Sequence, residues 1–279
     1  MTSSEALEPA SASPAPRVAL TINVDSILSQ AQSAVVISSE VVDFMLDAMG
    51  KSDLSVKPNN PSGQYKFASP PITADERRHN FENWIFSKAI SDLMRGVRSS
   101  LEQSHVALQL LSEPIKVASN SSLDAVLAPH YEKAAKMKFG QLLEGVNSKL
   151  SEPLAFADAF ESLQQARNCF EHRNGIVGPV DAPAGGVLVL QFPRAKVFYL
   201  KNGSEVELQS GQVVNDGSEN AGVQIHFKLD IRERRFGLGN RMTLSAADFN
   251  EIAFACNLFG ANLHAGILSA GAVKPKEAM

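Results

Sequence analysis

Cysteine, long apolar runs and a secretion signal are scarce or missing from this sequence, and each shortage excludes a class of protein. Cys169 and Cys256 are the only cysteines, too few for a disulfide framework or a cysteine-rich zinc site, although one disulfide between them stays open. No apolar run approaches the roughly 20 residues of a membrane-spanning helix. Residues 1–17 predict a disordered tail rather than a signal peptide. We therefore expect a soluble, cytoplasmic protein with no membrane partner.

Motifs for metals and nucleotides are also missing. The sequence contains no His-Glu-x-x-His, GxxxxGK or GxGxxG, and His105, His130 and His264 have no second ligand at metal spacing. We expect neither a metal ion nor a cofactor. The net charge is −4, so a nucleic acid would have to bind at a local patch or at an interface between subunits.

Apolar spacing predicts several helices before residue 178. A helix capped by Asp25 and a second one around residues 41–46 come first, and Gly50 is a natural stop. Two later helices are predicted over 131–150 and after Pro153, each with one apolar side.

A capping box marks the clearest helix start. Thr73 and Glu76 have the spacing at which hydroxyl and carboxylate satisfy each other's backbone amides. Apolar residues then recur at four-residue steps and predict a helix of about 35 residues. Trp84 lies beside this stripe, and we expect it in the core.

The sequence period changes to that of strands after residue 178. Residues 187–192 and 196–200 are predicted strands, and Asn202-Gly203 is the strongest hairpin signal in the chain. Residues 223–231 alternate between apolar and polar side chains, which predicts a strand with one buried face.

These elements together predict an α+β fold. A mainly helical bundle is expected over 18–182, and a β-hairpin module over 183–243 is inserted before the last helix. Ser245 opens that helix, which closes the bundle over 244–270 and leaves a tail at 271–279.

The end of the helix after Pro153 gathers the residues with the most chemistry. Arg167, Asn168 and His172 fall within six residues. An arginine neutralises phosphate with its planar fork, and a histidine titrates near physiological pH. Asn168 and His172 are four apart and lie about 40° from each other around a helix, and a long arginine can swing to the same point.

A purely structural interpretation covers most of the same residues. Arg167 and Glu171 are four apart and form a possible surface ion pair. His172 and Arg173 in the last turn would complement the helix dipole, and Asn174-Gly175 would supply a left-handed cap.

Arg167, Asn168 and His172, followed by the Asn-Gly-Ile-Val of 174–177, resemble the Arg-polar-x-x-x-His motif of the HEPN superfamily (higher eukaryotes and prokaryotes nucleotide-binding domains). The resemblance is specific over 163–177, and elsewhere it is one of layout. It implies a metal-independent endoribonuclease of toxin–antitoxin or antiphage defence, which is dimeric with a composite active site. Arg167 and His172 would be the catalytic pair, with Asn168 as the positioning residue.

A second basic segment offers RNA contacts. Arg234, Arg235 and Arg241 lie in a run that also holds an aromatic residue and two glycines, a composition suited to backbone contacts and base stacking. Arg173, next to the motif, is a further candidate for RNA binding. A charged loop at the end of a strand is the simpler interpretation of the run.

Two functions follow. The first is an HEPN-type ribonuclease that acts as a homodimer on RNA and leaves a 2′,3′-cyclic phosphate. The alternative is a non-catalytic interaction or RNA-binding protein, in which the motif is structural and the partner is a cognate antitoxin or regulatory protein.

Overall fold

Six helices and a three-stranded antiparallel sheet make up the parts of the chain that the computed structural model describes, which are residues 22–56, 71–112, 122–182, 185–208, 212 and 223–272. The predicted mainly helical α+β fold is confirmed. The predicted tail at 1–17 lies outside the described residues, and the domain boundaries stay predictions. In chain order the elements are α1 (Val24–Lys51), α2 (Ala74–Ser112), α3 (Leu123–Lys136), α4 (Phe139–Asn147), α5 (Ala157–Arg173), β1 (Val187–Lys201), β2 (Ser204–Glu207), β3 (Ile225–Gly237) and α6 (Ala246–Ala272).

Helix α2 is the centre of the helical part, and it starts as predicted. The Thr73 amide donates to a Glu76 carboxylate oxygen over 2.8 Å, and the Glu76 amide donates to the Thr73 hydroxyl over 3.2 Å. Helices α1, α3, α4, α5 and α6 all pack against α2. Trp84 is 56% exposed near the start of α2, so its predicted place in the core was wrong.

Helix α1 lies close against α2 because Gly96 has no side chain. A Cβ at Gly96 would fall 2.5 Å from the Cβ of Ala34. One turn further along, the Ser100 hydroxyl donates to the Ile27 carbonyl over 2.7 Å and accepts from the Ala31 amide over 3.2 Å.

The two helices predicted before Gly50 are one continuous helix, α1, whose N-cap is Asn23 rather than Asp25.

The helix predicted over 131–150 is two helices, because a side chain from α2 ends the first one. Arg98 donates to the Ala135 and Met137 carbonyls over 3.1 and 2.8 Å. These bonds satisfy carbonyl groups that a continuing helix would have bonded internally. Helix α4 then begins after Lys138, whose amide donates to Gln141 over 2.8 Å.

The sheet has the order β2-β1-β3, and β1 is one strand where two were predicted. Pro193 lies inside β1, where its missing N–H could break the pairing with β3. The backbone of Gln191, two residues earlier, points away from β3: its amide donates to the Ser162 hydroxyl of α5, and its carbonyl accepts from the same hydroxyl. Backbone groups two residues apart point to the same edge, so the missing N–H of Pro193 falls on that side too. The Asn202-Gly203 hairpin is confirmed, with both residues at positive φ.

The apolar face of β3 is the main disagreement with the predicted sheet. Ile225, Phe227, Leu229 and Ile231 are 37 to 83% exposed rather than buried. The opposite face of the strand packs toward α6 through ion pairs, among them Arg232 to Glu251 at 2.5 Å.

Helix α6 closes the helical part as predicted. Its apolar stripe is buried from Phe249 to Ile267, and it packs against α1, α2 and β1. Over Ala246–Gly271 it also has the length and apolar composition that a membrane span needs. A core helix of a soluble protein meets the same criteria, so the structure is compatible with a soluble protein.

We predict that the close approach at Gly96 limits the size of this residue. Gly96→Ala should lower the free energy of unfolding by about 1–3 kcal/mol, because the new methyl forces α1 away from α2. Urea unfolding followed by circular dichroism measures the change. Gly50→Ala is the control: a Cβ there meets no atom within 4 Å, so helix propensity should leave stability unchanged or higher by up to about 1 kcal/mol. Equal losses in both variants would contradict the packing argument.

Candidate functional site

Helix α5 presents the predicted site residues on its outer side. Its inner side is held in the core by Phe160, Leu163 and Ala166, each at most 1% exposed. Asn168 and His172 lie one turn apart on the outer side, where Asn168 is half-buried and His172 is exposed.

Arg167 is held between two neighbours on the same helix. Its Nη2 lies 2.5 Å from a carboxylate oxygen of Glu171, and its Nη1 lies 3.3 Å from Oδ1 of Asn168. The side chains of Arg167 and Glu171 are each about a quarter exposed. The predicted Arg167–Glu171 pair therefore exists, and the same guanidinium also reaches the amide of the motif.

Asn168 is oriented by two donors. Its Oδ1 accepts from Arg167 and also from Nε2 of Gln164 over 2.9 Å. With the oxygen occupied, the Asn168 amide NH₂ has no hydrogen-bond partner among the described residues. It is therefore a free donor on an accessible face.

His172 makes no hydrogen bond or ion pair with any residue in the described parts of the chain. It follows Asn168 by one turn on the same side of α5. The structure thus joins Arg167 to Asn168, and leaves His172 beside them without a direct contact.

A shallow depression of about 360 Å³ opens next to Asn168, between α4 and α5. Lys138 lines it and is exposed, and it forms no ion pair within the described ranges. The Glu161 carboxylate lines the same depression, so an anion near Lys138 and the Asn168 amide would also meet a negative charge. Lys138 is the N-cap residue of α4 and lies 30 residues before Asn168, so no sequence spacing could have assigned it to this site. The pairing of Gln164 with Asn168 has the i, i+4 spacing that could have revealed it.

Arg173 is engaged in holding the end of α5. Its Nε donates to Asp181 over 2.5 Å, and its Nη2 contacts the other carboxylate oxygen. The Asp181 side chain is almost fully buried and also accepts from the Gly178 amide over 2.9 Å. Hydrogen bonding to Asp181 raises the pKa of Arg173. These donors are used within the protein, and RNA binding by Arg173 stays a prediction.

The loop after β3 is attached to the end of α5. Asn174 and Gly175 adopt the predicted left-handed cap, with φ of 53° and 74°. The Gly175 carbonyl accepts from the Met242 amide over 2.8 Å, and the Asn174 carbonyl accepts from Arg241 over 3.0 Å. Arg241 therefore lies at the same end of α5 as His172, which the sequence separation of the two residues conceals.

The other two predicted RNA-binding arginines are paired with carboxylates. Arg234 donates to Asp248 at the start of α6 over 2.8 Å. Arg235 lies 2.5 Å from Glu233 and is 69% exposed. Each charge is partly neutralised within the protomer, and their contact with RNA stays a prediction.

Cys169 and Cys256 are free and buried, so they do not form the disulfide that the sequence allowed. Burial raises the pKa of Cys169 to about 11 and that of Cys256 to about 12. Both thiols are therefore protonated at neutral pH, and neither is suited to act as a nucleophile.

No protein-family model, curated protein or solved structure matches this chain significantly. Within the described residues, no three His, Cys, Asp or Glu side chains cluster as metal ligands would. The HEPN resemblance therefore rests on residues 163–177 and stays a prediction.

We predict that the Arg173–Asp181 pair is a structural clamp. Asp181→Asn should lower the free energy of unfolding by about 3 kcal/mol, because it leaves the guanidinium half-buried without its carboxylate. The control is Asp47→Asn, which removes an exposed pair with Lys51 and should cost less than about 0.5 kcal/mol. Urea unfolding of both variants gives the comparison. Similar small losses would show that Asp181 does not hold this end of α5.

Proposed function

We propose that this protein is a metal-independent endoribonuclease of HEPN type. The observation that carries the proposal is the contact between Arg167 and Asn168 on the accessible side of α5, one turn before an exposed and unpartnered His172. A guanidinium, a free amide donor and an imidazole on one surface are the groups that a phosphodiester needs for cleavage without a metal.

The chemistry is an attack within the RNA strand. The 2′-hydroxyl forms a new bond to the adjacent phosphorus, the bond to the 5′-oxygen breaks, and a 2′,3′-cyclic phosphate and a 5′-hydroxyl result. The proton lost by the 2′-oxygen goes to one imidazole, and the 5′-oxygen receives a proton from a second one. His172 from each of two protomers supplies these two roles. Arg167 stabilises the negative charge on the phosphate in the transition state.

A homodimer follows from this division of roles, because one protomer supplies a single His172. In the proposal the two copies of the motif face each other across a two-fold axis and enclose the RNA strand. We place the protein in the cytoplasm, in toxin–antitoxin or antiphage defence, with a cognate antitoxin or regulatory protein as its further partner.

We predict that cleavage depends on His172 and needs no divalent ion. Purified protein should cut single-stranded RNA in EDTA, and the products should carry 2′,3′-cyclic phosphate ends. His172→Ala should lower the rate by about 100-fold or more, in line with the loss of a general acid–base group. His79→Ala is the matched control, since His79 is an exposed histidine on α2. Equal rates in wild type and His172→Ala would refute the assignment.

A non-catalytic interaction protein is the second candidate, and the Arg167–Glu171 ion pair favours it. The Arg167 guanidinium lies 2.5 Å from the Glu171 carboxylate and so already has a counter-charge. A phosphate must either share the guanidinium with Glu171 or displace Glu171 from it. In this alternative the pair only stabilises α5, by a few tenths of a kcal/mol.

Replacing Glu171 tests whether Arg167 contacts RNA, which the interaction protein does not require. In a His172→Ala background, Glu171→Gln should tighten the binding of single-stranded RNA by about two- to tenfold at low salt, because Arg167 loses its internal counter-charge. Fluorescence anisotropy of a labelled RNA measures the affinity.

The control for this experiment is Glu132→Gln, which removes the acidic member of the i,i+4 pair with Lys136 on α3. It should leave RNA affinity unchanged. No tightening in Glu171→Gln, or the same tightening in both variants, would favour the interaction protein.

A further inference from the structure

One large cavity among the described residues is an apolar groove that is not lined by Arg167, Asn168 or His172. It lies between the last turns of α1 and the first turns of α2 and has a volume of about 890 Å³. Phe44, Met45 and Ala48 form one wall, and Phe81 and Trp84 form the other. Aromatic and methionine side chains of this kind are enriched where proteins bind partners.

The groove continues into an exposed apolar stripe on α1. Ile37, Val41, Phe44 and Ala48 follow at steps of four, three and four residues, so they share one side of the helix. The first three are 61, 49 and 73% exposed. The stripe runs about 16 Å at 1.5 Å per residue, which matches three turns of a second helix laid along it. Contiguous exposed apolar surface of this extent is typical of an interaction site.

Acidic residues follow one edge of the stripe. Glu40, Asp43 and Asp47 lie about 40° to 100° around the helix from Phe44, on the side away from α2. All three are exposed. Lys51 pairs with Asp47 over 2.7 Å, and the other two carboxylates form no ion pair with a described residue. The edge therefore carries net negative charge beside an apolar track.

We propose that this groove, with the α1 stripe, binds an amphipathic helix of a protein partner that carries lysine or arginine along one edge. The apolar side of the partner helix lies on Phe44 and Trp84, and its basic edge meets Glu40 and Asp43. This is the helix-in-groove mode of recognition, with anchors at three- and four-residue steps. The proposal is independent of RNA cleavage, because none of Arg167, Asn168 and His172 lines the groove. Trp84 also lines a smaller cavity together with Asn174 and Arg241 at the end of α5.

A second copy of this chain fits the surface less well. Two copies of α1 packed antiparallel about a two-fold axis place identical edges side by side, so the acidic edge of each meets the acidic edge of the other. Like charges in contact oppose such a pair. A basic partner meets the same edge with favourable charge.

Trp84 makes the test direct, because it is the only tryptophan in the chain. The probe is a helical peptide of about 18 residues with leucines along one side and lysines along one edge. Added to the full chain, it should shift Trp84 emission to shorter wavelength and saturate. A matched peptide with glutamates in place of the lysines should bind at least about tenfold more weakly.

Variants of exposed residues test the contacts without disturbing the core. Phe44→Ala should weaken the lysine peptide about tenfold or more, as expected for a central apolar anchor. Phe227→Ala removes a phenylalanine on the sheet that is even more exposed than Phe44, and it should leave the affinity for the lysine peptide unchanged. Replacing Glu40 and Asp43 together by lysine should invert the preference between the two peptides.

Three outcomes would overturn the proposal. Equal affinity for both peptides would remove the basic partner. No shift of Trp84 with either peptide would show that the groove is closed to a helix. Sedimentation that shows a dimer in wild type and a monomer in Phe44→Ala would assign the surface to a second copy instead.

Discussion

The absence of a side chain at Gly96 determines how closely α1 lies on α2, the helix against which the other helices pack. It brings α1 onto α2 so closely that Ser100 reaches two backbone groups of α1. The buried residues of α1 form one narrow stripe from Ile27 to Met49, at steps of four, seven, four and seven residues. The outer side of the same helix is left free, and its apolar residues form the stripe that leads into the groove.

A second constraint positions the candidate nuclease site. The end of α5 is fixed by a left-handed cap at Asn174, by the Arg173–Asp181 clamp, and by backbone bonds to the loop after β3. These contacts come from sequence segments up to 67 residues away. They hold the last turn of α5, and with it the backbone of His172, while the imidazole itself stays unbound on the surface.

Caps and turns that depend on residues close together in the sequence were predicted correctly. The Thr73–Glu76 box, the Asn202-Gly203 turn and the cap at Asn174 each depend on neighbours within a few residues, and each was confirmed. The errors came from contacts over long sequence distances. Arg98 of α2 ends α3, and no pattern within residues 131–150 could have shown it. The alternation over 223–231 was real, but its apolar side faces outward, because the ion pairs to α6 lie on the other side of the strand.

The pairing of the arginines bears on how this protein could handle RNA. Arg167, Arg173, Arg234 and Arg235 all have carboxylate partners within the protomer, and Arg241 binds a backbone carbonyl. The net charge of −4 adds no long-range attraction for a polyanion. In the proposed ribonuclease, a phosphate therefore competes with Glu171 for the Arg167 guanidinium. In the proposed mechanism, a second copy of the chain supplies the second imidazole that one protomer lacks.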